Sequence, residues 1–148
     1  GPLDALLQYF SHESATLPCI WGDNCANALV SIDARGYVAQ CDCWVTSYPE
    51  YHYGNIFESD NFGELLHNSP ARQQFNERPI QLIQRDCLSC DYLSLCHGGC
   101  PVRTYSVYGS LFEKDPSCEL YKTMFSRMER AARDLAQEAT VTQHRAAA

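Results

Sequence analysis

The 148-residue chain carries a net charge of −7, which argues against a nucleic-acid surface, because phosphate binding needs clustered Lys and Arg. It contains no apolar run of about 18 residues to span a membrane, and no charged-then-apolar leader to mark it for secretion. Nine cysteines in a chain of one-domain length are its chemical peculiarity. Their odd count and the missing export signal point to metal or redox chemistry in a reducing cytoplasm, not to a disulfide framework.

The opening GPL reads as the remnant of a cleaved tag, and the closing RAAA is set aside likewise. LDALLQYF reads as the end of a helix, so residues 1–18 lead into a domain over 19–138, with 139–148 as a tail. SHESATLPCIWGDNC is a loop, broken by Pro18, Gly22, Asp23 and Asn24. Leu29 to Ile32 form a strand, DARG a turn, and Tyr37 to Cys41 the return strand of a hairpin. From Trp44 to Asn55 the chain is aromatic and irregular, interrupted by Pro49 and Gly54. Two short helices follow: Asp60 caps NFGELLHN, and Ser69 with Pro70 opens PARQQFNE, which Pro79 is expected to stop. The block from 87 to 100 is too rich in Gly and Cys for regular structure beyond one turn at DYLSL. Asp115 and Pro116 start the longest helix, whose Leu120, Met124, Met128, Ala131 and Leu135 make a core-facing stripe. The class is α+β: a small metal-stapled domain with a β-hairpin, short helices and a longer C-terminal helix.

The cysteines fall into two groups. Cys19, Cys25, Cys41 and Cys43 flank the hairpin, and Cys87, Cys90, Cys96, Cys100 and Cys118 lie in the later half. All-sulfur sites suit zinc or an iron–sulfur cluster, and both need thiolates. Paired CxxC units favour zinc, but one CxxC occurs, at Cys87 and Cys90. The run Cx2Cx5Cx3C is closer to cluster-binding loops, which wrap a bulkier cubane and add a distant cysteine. Gly98 and Gly99 suit such a loop, or an ordinary tight turn, because glycine accepts positive φ.

Cys25, ten residues, Gly36, four residues, Cys41, a gap, Cys87-x2-Cys90-x5-Cys96-x3-Cys100, a gap and Cys118: this order resembles the SPASM domain. That domain is the C-terminal, auxiliary-cluster part of many radical S-adenosylmethionine enzymes. The resemblance covers residues 19 to 118 and implies two [4Fe-4S] clusters with interleaved ligands. By position, the first would take Cys19, Cys25, Cys41 and Cys100, and the second Cys87, Cys90, Cys96 and Cys118. Cys43 has no counterpart and is read as a buried or free thiol. CDCW and GNIFESDNFGELL further resemble the sulfatase-maturating branch, where an aspartate after the hairpin's last ligand acts as base. Asp42 stands at that position. It can take a proton from substrate, or instead cap a turn or pair with Arg35 or Arg103. If the return strand runs through Cys41, alternation turns Asp42 away from the Cys41 cluster.

His97 can tune a cluster by hydrogen bonding or simply sit on a loop. Trp44, Tyr48, Tyr51, Tyr53 and Phe57 can line a peptide-binding face or form core beneath a loop. Arg103 and Tyr105 can face substrate or a neighbouring domain. The radical-generating Cx3Cx2C loop is missing: Cys96 and Cys100 supply Cx3C, but Arg103 stands where the third cysteine belongs. S-adenosylmethionine and a third [4Fe-4S] cluster would therefore belong to a separate core domain, the expected partner along with a peptide or protein substrate. The implied function is electron transfer and substrate binding in oxidative modification or crosslinking, with the isolated chain inactive. A structural zinc-binding interaction module without redox function is the alternative.

Overall fold

The computed structural model describes residues 1–19, 21 and 25–146, with side chains as far as residue 142; the expected loop breakers Gly22, Asp23 and Asn24 lie outside them. Strand β1 (Ser31–Ile32) pairs antiparallel with β2 (Tyr37–Ala39), Ser31 opposite Ala39. The Asp33 carboxylate builds the turn between them by accepting the backbone N–H groups of Arg35 and Tyr37, each at 2.9 Å. Gly36 closes the turn at φ 85°, where a Cβ would fall 2.5 Å from the Phe57 ring. No other residue type meets both conditions without rearrangement.

A third strand, β3 (Gly54–Asn55), pairs with β2 in a segment expected to be irregular. Its two residues carry no β propensity. What holds it is the Asn55 amide, which donates to the Arg35 carbonyl at 3.0 Å while its oxygen accepts the Phe57 N–H at 2.9 Å. β2 stops at Ala39, two residues short of the expected strand end. Cys41 is extended and caps helix α3 (Asp42–Ser47), so Asp42 opens a helix and the alternation of a strand does not govern its direction.

Helix α1 (Pro2–Phe10) precedes the hairpin, and α2 is a single turn at Cys25–Ala28. After α4 (Phe62–His67), helix α5 (Pro70–Leu82) runs through Pro79 instead of ending there. Proline removes one ladder hydrogen bond. Against that stands a buried row, Ala71, Phe75, Arg78 and Leu82, that continues along one face past the proline. Burial overrides local propensity here. A π-helical turn, Ile83–Cys87, extends α5 to the first cysteine of the late block.

That block holds a single helical turn, where one was expected at DYLSL. It contains α6 (Leu93–Cys96), ended by His97 at φ 49°, and leads into α7 (Pro101–Tyr108), with Cys100 as its N-cap residue and Pro101 in the first helical position. α8 (Cys118–Ala146) closes the chain. No helix among the described residues is long and apolar enough to cross a membrane.

Two hydrophobic clusters support these elements. One surrounds the fully buried Trp44, whose ring lies 4.6 Å from Tyr51, 5.0 Å from Phe75 and 5.5 Å from Tyr105. Trp44, Tyr48, Tyr51 and Tyr53 are thus core or core-flanking residues, while Phe57 is exposed. The other cluster joins Leu6, Trp21, Leu95, Tyr121 and Phe125, and it ties α1 to α8. On α8 the buried positions are Tyr121, Phe125 and Ala132, whereas Leu120 is 65% and Leu135 51% exposed. Met124 and Met128 of the expected stripe do pack, partly buried, against this cluster, but the stripe's ends at Leu120 and Leu135 face solvent, so the core face is centred on Tyr121 and Phe125. Large aromatic rings bury more area than leucines do, and Trp21 stacks edge-on against both Tyr121 and Phe125.

This orientation separates two substitutions five residues apart on α8. Phe125→Ala should cost about 3–5 kcal/mol, and Leu120→Ala less than about 0.5 kcal/mol. Denaturant midpoints at unchanged slope measure both; similar losses would return Leu120 to the core face.

Candidate metal centres

Cys25 starts α2, Cys41 caps α3, Cys100 caps α7, and Cys19 lies in the preceding loop. Together these four cysteines line one cavity, with Gln40 and Gly99 beside them. Burial pushes the Cys25 thiol up to about 11, and the nearby Cys100, Cys41 and Cys19 add to it while Arg78 pulls it down. Cys41 is likewise raised by burial, although N–H groups of Trp44 and Cys43 favour its thiolate.

A second cavity is lined by Cys87, Cys90, Cys96 and Cys118, with Lys114, Lys122 and Tyr121 among its other walls. Cys87 ends the π-helical turn, Cys96 ends α6, and Cys118 is the first residue of α8. Burial pushes Cys96 up to about 11, with Cys118, Asp115 and Cys87 adding to it. Burial also raises Cys87, followed by Cys118 and Cys90. Neighbouring thiolates add to the difficulty of ionising Cys25, Cys41, Cys87, Cys96 and Cys118, a penalty that a bound cationic centre would remove. Each cavity thus offers four sulfur donors, a set that fits a [4Fe-4S] cluster. Among the described residues, no group of three or more His, Cys, Asp or Glu is placed to hold a single metal ion. Cys43 is exposed and lines neither cavity.

The two cavities meet at the turn between Cys96 and Cys100. Gly98 and Gly99 adopt φ 85° and 76°, and a Cβ on Gly99 would fall 2.4 Å from the Asp115 Cβ. Asp115, with 1% of its side chain exposed, accepts the Cys100 N–H at 2.7 Å and the Ser117 N–H at 2.8 Å. Arg103 Nη2 donates to the same carboxylate at 2.7 Å, and to the Tyr121 hydroxyl. Burial alone would raise the Asp115 carboxyl, but Arg103 and the N–H groups of Ser117 and Cys100 outweigh it and hold it below the ordinary aspartate value. Arg78 reaches the turn from α5, donating to the carbonyls of Gly98 at 2.8 Å and Gly99 at 3.2 Å. Sequence reasoning missed Arg78, because an arginine in QQFNERP reads as a solvent-facing helix residue. Asp115 carried a signal as a helix-start residue, and it does receive the Ser117 N–H, but nothing local announced its bond to Cys100.

Asp42 is exposed and accepts a hydrogen bond from the Ser31 hydroxyl on β1. Arg35 pairs with Asp33 and Arg103 with Asp115, so neither is Asp42's partner. Arg103 and Tyr105 both have partners within the chain, Tyr105 donating to Glu50 at 3.0 Å at the surface. His97 is partly exposed.

The chain is 34% identical over 60% of its length to a serine-type anaerobic sulfatase-maturating enzyme of Bacteroides thetaiotaomicron, covering 20% of that protein. It is 33% identical over 49% of its length to an Fe-coproporphyrin III synthase of Methanosarcina barkeri, covering 19% of that protein. These partial homologies support a SPASM-like domain. The chain spans about a fifth of the length of these curated relatives. No family model and no solved structure matches it.

The Asp115 clamp yields a pH test. Its folded pKa lies below the unfolded value near 4, so its contribution is fully present above that value and is lost only as pH falls through the folded one. Asp115→Asn should destabilise by about 2–3 kcal/mol, by a constant amount between about pH 8 and pH 5. A difference that changes within that window, measured by unfolding of both proteins side by side, would mean a raised carboxyl instead.

Proposed function

We propose that this SPASM-like domain holds two all-cysteinate [4Fe-4S] clusters and serves a radical S-adenosylmethionine enzyme that oxidises or crosslinks a peptide or protein. The observation that carries the reading is the grouping of eight cysteines into two foursomes that interleave along the chain. Cys19, Cys25 and Cys41 line one cavity with Cys100, while Cys87, Cys90 and Cys96 line another with Cys118. Such clusters accept and release single electrons. The chain's own residues supply the surroundings: the glycine turn lets backbone pass between the sites, and the aromatic core fixes the caps that carry Cys41 and Cys100. Asp42 is the base in this reading. Its carboxylate is open to solvent, where a substrate can reach it, and the Ser31 hydroxyl orients it. The radical core, its S-adenosylmethionine and the third cluster belong to a separate domain, since this chain lacks Cx3Cx2C. The sulfatase-maturating relative, by its name an enzyme that acts on a protein, supports a peptidic substrate.

Anaerobic purification with metal and sulfide analysis tests the reading. About eight iron and eight sulfide per chain are expected for two cubanes; about two zinc with negligible sulfide would establish the structural zinc module. Cys100→Ala should lower the iron content and the melting temperature, and Cys43→Ala should leave both unchanged. In the complete enzyme, Asp42→Asn should keep cluster content and S-adenosylmethionine cleavage while suppressing product by about 100-fold or more, the usual scale for a general base. Wild-type turnover by that variant would return Asp42 to a helix-opening role.

A further inference from the structure

Arg78 is 3% exposed, and among the described residues no carboxylate forms an ion pair with it. Its guanidinium is satisfied by neutral oxygens: Nε donates to the Leu111 carbonyl at 2.7 Å, and Nη2 to the Gly98 carbonyl at 2.8 Å and the Thr104 hydroxyl at 3.2 Å. A buried charge without a counter-charge is costly. Asp115, the carboxylate closest to serving, is already engaged by Arg103. Burial pulls the Arg78 guanidinium below its ordinary value, and the groups that favour its charge are Cys25, Asp115, Cys100 and Cys96. Three of these four are cysteines, and they come from both sites.

Its position explains this. Arg78 grips the carbonyls of Gly98 and Gly99, the residues lying between Cys96 of one cavity and Cys100 of the other. A cubane with four thiolates carries net negative charge, which becomes more negative on reduction, and cluster potentials respond to local charge and hydrogen bonding. We propose that Arg78 is a shared redox-tuning residue, a buried cation between the two cysteine sites that raises the reduction potential of the cluster in each. This rests on the two-cluster reading above. Reduction adds one electron to a cluster and neither makes nor breaks a bond, and the guanidinium offsets the added charge without changing its own protonation.

Anaerobic redox titration of the reconstituted full chain with dithionite, followed by electron paramagnetic resonance, tests the proposal. Arg78→Gln should disfavour reduction at both clusters by tenfold or more, about 59 mV per tenfold for one electron. Arg78→Lys keeps the charge and should stay within about threefold of wild type, tenfold being the 59 mV step. Thr104→Asp leaves the arginine in place and sets a carboxylate against it, so it should shift both potentials in the same direction as the Gln variant. Unchanged midpoints in cluster-loaded Gln or Asp variants, a shift at one cluster alone, or a Lys shift as large as the Gln shift would overturn the proposal. Loss of clusters in all three variants would make Arg78 a support of the fold only, and also overturns it. Wild-type protein without iron and sulfide would overturn the two-cluster reading itself, a failure distinct from those of the variants.

Discussion

The structure depends on how one glycine turn is held. Gly98 and Gly99 link Cys96 to Cys100, and two buried ionic side chains fix them from opposite directions. Arg78 holds their carbonyls from α5, and Asp115 holds the following N–H from the approach to α8. Neither grip works alone. The positive φ of both glycines turns carbonyls and amide towards different partners, so loss of either partner leaves buried backbone groups unsatisfied. Because Asp115 also receives the Ser117 N–H just before Cys118, one carboxylate sets the approach of cysteines in both cavities.

Around this turn, the two hydrophobic clusters have separate tasks. The Trp44 cluster sits beneath the caps that present Cys41 and Cys100, and the Trp21 cluster backs α6 and α8, which present Cys96 and Cys118. Each cavity thus rests on its own apolar base. The polar bridge of Arg78, Arg103 and Asp115 joins them. Apolar burial supplies cohesion without direction, whereas the bridge fixes orientation, since a guanidinium fork and a carboxylate accept few geometries.

What the sequence revealed followed the range of the forces involved. The hairpin turn was legible because Asp33 and Gly36 act within a few residues, and the helix opened by Ser69 and Pro70 because capping is local. The cysteine grouping came from spacing and family resemblance, since no local rule pairs Cys19 with Cys100. Pro79 misled because its local penalty is real but smaller than the burial of Phe75, Arg78 and Leu82 around it. The α8 stripe was right at Met124 and Met128 and wrong at its ends, because periodicity alone cannot say which of two adjacent rows is the centre of the core face, and Trp21, far away in sequence, decided for Tyr121 and Phe125. β3 gave no local signal at all. Its strand character rests on an Asn55 contact with the hairpin turn.

The interleaving of the cysteines has a kinetic side. Cys87 to Cys118 can be gathered by closing a short stretch of chain, while Cys19 can meet Cys100 only after the entire hairpin and α5 have been brought round. Closure entropy grows with the length enclosed, so the late cavity is the easier one to form first. Once it forms, the turn that carries Cys100 is already set, and the early cavity has a fixed wall on which to assemble. The chain order of the sulfurs thereby makes the two closures unequal, the early one costing about 1 kcal/mol more by the logarithmic rule.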